Sequence, residues 1–327
     1  MRPIMLQGHT RPLTQIKYNR EGDLLFTVAK DNTVNCWYSH NGERLGTYEG
    51  HVGSLWTVDA NSSSTRLVTG SADNTARLWD IRTGKLLHTW EFKTAVKRVQ
   101  WSEDDKYVLM VTERRMGYPG TIIVMRVDQD TDVPNSQTTE FTSEITPEGS
   151  KATVAGWTYL NKHIVTGHED GTVSLYDWKT GEQVASTKQH DAVVTDIQFS
   201  ADRTYFITSA KDKTAVIYET SSLHPLKVYT TDTPLNSASI TPIQDFVVLG
   251  GGQEAMNVTT TGARQGKFEC RFHHKILLEE CGRVRGHFGP INTIAVHPDG
   301  KSFASGGEDG FIRVHHYDDD FFRFRVA

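Results

Sequence analysis

The chain has few of the features that would place it in most functional classes. It holds three cysteines, Cys36, Cys270 and Cys281, with no C-x-x-C pair and one thiol left over. A disulfide framework is therefore not expected, and reduced thiols fit an intracellular protein. Cys36 lies in a strand-like stretch and reads as a small buried residue. No run approaches the ~20 apolar residues that a membrane helix needs. Met1–Leu6 is too short for a secretory signal before Gly8-His9 begins. These absences predict a soluble, cytoplasmic chain without membrane association. Basic excess is missing too: net charge is −5, with no basic stripe along the sequence. Direct nucleic-acid binding is not expected on that ground.

Chemistry-bearing motifs are equally scarce. Gly250-Gly251-Gly252 follows a strand, but no helix with phosphate-binding spacing comes after it. His273-His274 has no Cys or carboxylate partners at metal-ligand spacing. Asn61-Ser62-Ser63 and Asn257-Val258-Thr259 match a glycosylation pattern that carries no weight without secretion. Paired-carboxylate, Cys–His and zinc-hydrolase arrangements are absent. The expectation is a protein that is not an enzyme and takes no cofactor and no metal.

What the chain does have is a repeat. Asp31, Asp73, Asp170, Asp212 and Asp309 are separated by gaps of 42, 97, 42 and 97 residues. A His lies 22 residues before four of them (His9, His51, His190, His287). A Thr or Ser lies 4 before each (Thr27, Thr69, Thr166, Thr208, Ser305), and a ring 6 after each (Trp37, Trp79, Tyr176, Tyr218, His315). A period of roughly 40–45 residues, with Gly-His near the start and Trp-Asp near the end, marks a β-propeller blade. Each gap of 97 leaves room for one weaker unit, so five clear and two degenerate units give an all-β, seven-bladed propeller.

Within a unit, short β-branched and aromatic runs alternate with Gly, Asn and Asp turns. The blades fall at about 8–48, 50–91, 92–127, 148–188, 189–229, 230–284 and 285–317, forming one domain over 1–327. The polar segment 128–151 and the segment 262–284 lie outside the period. Ile4-Met5-Leu6 stands where an outermost strand would, without a blade of its own, so residues 1–7 are expected to complete the seventh blade and close the ring. The tail Phe321–Val326 alternates like a strand and would compete for that edge or cover it.

His–Ser–Asp sets also build nucleophilic sites. Here the set recurs at one spacing, whereas an active site is needed once. The structural reading is a hydrogen-bond network that ties the tight turn to the preceding strand and the inter-blade loop. It comprises His9, Thr27, Asp31 and Trp37; His51, Thr69, Asp73 and Trp79; His190, Thr208, Asp212 and Tyr218; and His287, Ser305 and Asp309. Glu148 stands at the His position of the fourth unit and His315 at the Trp position of the seventh, so those networks must differ.

Several stretches exceed a generic repeat: Tyr18–Phe26, Asn41–Tyr48, Val247–Ala255, Val258–Thr261, Lys267–Ile276 and Gly286–Asn292. Together they resemble the family of i subunits of eukaryotic translation initiation factor three, from the N-terminus to Ser305–Gly310. The resemblance implies a non-catalytic subunit of the factor that binds the small ribosomal subunit and supports scanning and recruitment of initiator transfer RNA and messenger RNA. It further implies a propeller that holds a helical C-terminal segment of the b subunit and docks the g subunit, reaching the ribosome through them. The acidic pair that the family uses for the b subunit maps to Asp202 and Glu219, the latter a departure from aspartate.

Asp202 falls in the turn between the first and second strands of its blade and Glu219 at the end of the third, so both belong to one face. Such a pair suits Arg or Lys on a partner helix, with Ile217 and Tyr205 supplying apolar area. Desolvated charge-assisted bonds of this kind contribute about 1.5–3 kcal/mol. Asp80, Asp177 and Asp299 stand at equivalent positions of other blades, where Asp is turn chemistry. The competing reading is a WD-repeat adaptor in receptor signalling or ubiquitin ligation. Such readers use Arg clusters, and no repeated Arg set occupies the loop positions.

Overall fold

The computed structural model describes residues 3–128, 137–253 and 268–323. These form seven four-stranded antiparallel sheets, the all-β propeller that the repeat predicts. In the second blade the strands are Leu55–Ala60, Arg66–Ser71, Thr75–Asp80 and Leu86–Glu91, running from the channel outward. The ring is closed by Pro3–Leu6, which pairs antiparallel with Ile312–His316 as the outermost strand of the seventh blade. The last blade is thus built from both ends of the chain.

Seven apolar clusters occupy the seven joints between blades. The one between the first two blades packs Phe26, Val28, Leu55, Val58, Leu67 and Trp79. The one across the closure packs Leu6, Leu13, Leu25, Trp37, Ile312 and Val314. Removing such surface from water, at about 25 cal/mol per Å², makes each blade depend on its neighbours.

Two expectations drawn from periodicity need correction. The third blade takes its outer strand, Ser143–Ile145, from the segment 128–151 that the period had set aside. The sixth takes both of its outer strands, Glu269–His274 and Glu280–Arg285, from chain largely assigned to the excursion 262–284. An edge strand needs only one buried face, so Ser143-Glu144-Ile145, with only Ile145 fully buried, shows no alternation that a sequence reading could detect. Residues 129–136 and 254–267, where the rest of those excursions falls, lie outside the described residues. The triple glycine serves backbone packing: a Cβ on Gly251 would collide with the Pro234 carbonyl.

The described part of the tail, through Arg323, does not form a strand. Asp319–Arg323 is a short helix, begun by the Phe321 amide donating to Asp318 Oδ1 at 3.2 Å. Phe321 stacks on Tyr317 with ring centroids 4.1 Å apart. The sheet edge it was expected to contest is already taken by Pro3–Leu6. Residues 324–327 lie outside the described residues.

Every innermost strand carries one β-bulge near its start. The extra residues are Thr14, Trp56, Lys97, Thr153, Thr195, Asn236 and Asn292, and all seven line the same mouth of the central channel. Bulged residues leave the ladder and re-aim their side chains, here toward the axis.

Candidate functional site

The repeated networks sit on one end of the ring, where the chain enters each innermost strand. In the second blade Trp79 Nε1 donates to Thr69 Oγ1 (3.0 Å), which lies 2.8 Å from His51 Nε2. His51 Nδ1 meets Asp73 at 2.8 Å, and Asp73 also accepts the Val52 amide. Thr69 accepts from the indole and donates to His51 Nε2, so His51 carries its proton on Nδ1 and gives it to the carboxylate. The first blade repeats this with Trp37, Thr27, His9 and Asp31. Burial holds the pKa of His51 below its usual value against the opposing pull of Asp73. Thr27, Thr69, Thr208 and Ser305 are fully buried, so no substrate reaches a hydroxyl and the networks are structural links.

Three blades vary the scheme. In the fifth, His190 bonds Thr208 (2.7 Å) and Thr214 (2.8 Å). Tyr218 stacks against Phe206 instead. In the seventh, His287 bonds Ser305 (2.9 Å) and Asp309 (3.0 Å), while Arg313 braces Asp309 at 3.0 Å. His315 stacks on Phe303 and stays outside the network. Burial, with the nearby His287 and Arg313, pushes His315 down to about 4. In the fourth, His168 replaces the missing histidine, bonding Thr166 at 2.8 Å and the Ser150 carbonyl at 3.0 Å. Two residues apart on one strand means one face, so the Thr166–His168 spacing held that signal.

Asp202 and Glu219 emerge on the opposite end. They line one groove of about 570 Å³ with Tyr159, Lys162, His163 and Thr204, between the fourth and fifth blades. Asp202 Oδ1 accepts Ser200 Oγ (2.6 Å), the Thr204 amide (3.1 Å) and Thr204 Oγ1 (2.9 Å). The Ser200 hydrogen bond and those from Thr204 hold its carboxyl below the usual range. Oδ2 takes no bond among the described residues. Glu219 is exposed and accepts from Ser222 Oγ. That bond matches the one Asp80 makes with Thr83 in the second blade, so both acids shape their turns while presenting charge. Arg203 cannot neutralise them, because it is tied to Glu103 at 2.8 Å and to the Trp157 carbonyl.

The apolar companions differ from those expected. Ile217 is only 3% exposed and belongs to the core between the fifth and sixth blades, so it offers no surface to a partner. Tyr205 is half-buried, paired across the strands with Glu219 and contacted by Lys275 Nζ at 3.5 Å from its hydroxyl. Lys275 starts the next blade's turn, and that turn presents Ile276 (54% exposed), Leu277 (49%) and, from the neighbouring turn, Ile243 (60%). On the groove's other flank Tyr159 and Leu160 stand out at 58% and 70%. The sequence reading missed these residues, since turns carry no periodicity and their adjacency arises only when blades pack. The groove's two carboxylates, with Tyr159 beside them, suit an amphipathic helix bearing Arg or Lys. Among the described residues no group of three or more His, Cys, Asp or Glu could hold a metal ion, and no helix is long and apolar enough to cross a membrane.

A family model described as EIF3I matches residues 1–327. Eukaryotic translation initiation factor 3 subunit I of Schizosaccharomyces pombe is 62% identical over 329 residues, covering 100% of both chains. The protein of the same name from Botryotinia fuckeliana is 61% identical over 326 residues, covering 99% of this chain and 97% of its own. That from Coccidioides immitis is 59% identical over 329 residues, with the same coverage.

Proposed function

The chain belongs to the family of subunit I of eukaryotic translation initiation factor 3, and from that premise we propose that it works as a non-catalytic scaffold holding the b and g subunits together. The b subunit's C-terminal helical segment lies across the groove of Asp202 and Glu219, with its basic side chains on the carboxylates and its apolar side on Ile243, Ile276 and Leu277. The small ribosomal subunit is reached through these partners, in the cytoplasm, during assembly and scanning of the initiation complex. The observation that carries the reading is the exposed Glu219, with the aliphatic turn of Ile276 and Leu277 on the next blade left open among the described residues.

The test is sedimentation of the tagged chain from cells. Co-migration with the b and g subunits in small-ribosomal-subunit fractions, lost on Glu219→Lys with Ile276→Asp, supports the scaffold. A chain confined to light fractions without either subunit contradicts it.

A further inference from the structure

Five of the seven bulge residues perform one task. Thr14 Oγ1 donates to the Leu55 carbonyl (2.8 Å), Thr153 to Val194 (2.6 Å) and Thr195 to Leu235 (3.2 Å). Asn236 Nδ2 donates to Ile291 (2.9 Å) and Asn292 to Leu13 (2.9 Å). Each bond links a blade to the first residue of the next blade's innermost strand, so they form a belt around the channel mouth. The belt is broken at two adjacent positions, Trp56 and Lys97. Trp56 buries its indole N–H without a partner among the described residues, and Lys97 Nζ lies 3.4 Å from the centroid of the Trp56 ring. A hydroxyl or amide would have completed the belt at either place, so packing alone does not account for these residues.

Cations collect around the break. Lys97 meets Glu113 at 3.7 Å, and Lys151 meets Glu169 at 3.1 Å. The blade 3 loop that follows Glu113 exposes Arg114 and Arg115, and Lys93 stands beside it over the Tyr118 ring. Among the described residues these three have no ion-pair partner. Burial lowers the pKa of Lys97, Glu113 opposes that, and Lys151 and Arg115 lower it further. An arriving anion relieves that repulsion. The cluster joins three blades, which is why it left no stripe in the sequence.

We infer that this mouth is a docking site for an acidic segment of a partner protein, with its carboxylates between Lys97 and Lys151 and an apolar residue against Met116. Charge complementarity selects the acid, and the mouth's volume of about 400 Å³ admits side chains. Met116, at the loop tip and 85% exposed, supplies the apolar contact. Single-stranded nucleic acid binds through open aromatic faces, but here Lys97 covers the one ring at the mouth, Trp56, among the described residues. The site lies at the opposite end of the ring from Asp202 and Glu219, so it stands or falls independently of the scaffold reading.

The full chain is titrated with three labelled probes: a peptide of glutamates around a central leucine, the same peptide with glutamines, and an oligouridylate. The expected result is preference for the glutamate peptide, weakened by salt. Binding falls roughly tenfold in Arg114→Glu/Arg115→Glu, a change confined to an exposed loop. Lys97→Thr, which gives the belt back a hydroxyl, keeps the melting temperature and loses the preference. Glu219→Lys leaves this binding unchanged. Equal affinity for both peptides, or no effect of the arginine reversal, overturns the site. Tighter binding of the oligouridylate overturns the choice of a protein partner.

Discussion

Asn292 Nδ2 donates to the Leu13 carbonyl at 2.9 Å across 279 residues of chain, joining the last blade to the first. At the outer end of the same joint, Leu6 is buried at 2% exposure, against Trp37, Ile312 and Val314. Closure therefore rests on a strand only four residues long. Leu6→Ala is expected to destabilise the protein by about 2–5 kcal/mol, the range for a leucine truncated in a packed core. Urea unfolding measures it; a change within experimental error would mean that the seventh blade closes without its outer strand.

Acid should weaken the fold in two stages. Burial lowers the pKa of His51, His190 and His287 in the folded state below their ordinary 6.5. The unfolded chain then binds protons that the folded chain refuses, so stability declines as pH falls below about 6.5. The carboxylates act lower. Burial alone would raise Asp31, but His9, Thr10 and Thr33 outweigh it and hold it at about 2, against 3.8 ordinarily. Its contribution is complete above pH 3.8 and disappears as pH falls toward 2. Melting temperatures between pH 7.5 and pH 3 test this, with a first decline beginning near pH 6.5; a flat profile down to pH 5 contradicts it.

The residue after each repeat aspartate has positive φ: Asn32 at 62°, Asn74 at 66°, Gly171 at 88°, Lys213 at 73° and Gly310 at 77°. Asn and Gly tolerate this left-handed conformation; lysine does not favour it. Lys213 is exposed and its main-chain carbonyl, which accepts the Thr231 amide at 2.9 Å, survives any substitution. Lys213→Gly is expected to raise stability by about 0.5–1 kcal/mol, relief of strain exceeding the glycine's extra chain entropy. Chemical denaturation reads the sign.

How much the sequence disclosed follows from which contacts are local. The gaps between Asp31, Asp73, Asp170, Asp212 and Asp309 mark blades because each aspartate shapes the same tight turn and four of the five meet a histidine at fixed register. Blades 3 and 6 lack that link, so Ser143–Ile145 and Glu269–Arg285 went unassigned. Asp202 and Glu219 were placed on one face by counting strands within a single blade. Tyr159, Ile243 and Ile276 were not, because they approach through packing between blades. The gap in the belt at Trp56 and Lys97 needed the bulge register, which no composition or period encodes.

Hydrophobic contact beside the acidic pair should matter as much as charge. Ile276→Asp and Leu277→Asp lie on an exposed turn, so melting should change little. Binding of the b subunit's helical segment should weaken about tenfold or more, as for a truncated interface anchor. Preserved affinity would remove the sixth blade from the interface.

The most direct measurement is calorimetric titration of the purified chain with that helical segment, comparing the native protein with Glu219→Lys. Glu219 is exposed and only its Ser222 contact is lost, so the fold serves as its own control. The scaffold account predicts affinity reduced about tenfold to a hundredfold, consistent with about 1.4–3 kcal/mol for a reversed interface charge, and a partial recovery when a basic residue of the helix is reversed in turn. Identical affinity for the two proteins would contradict the groove as the binding site.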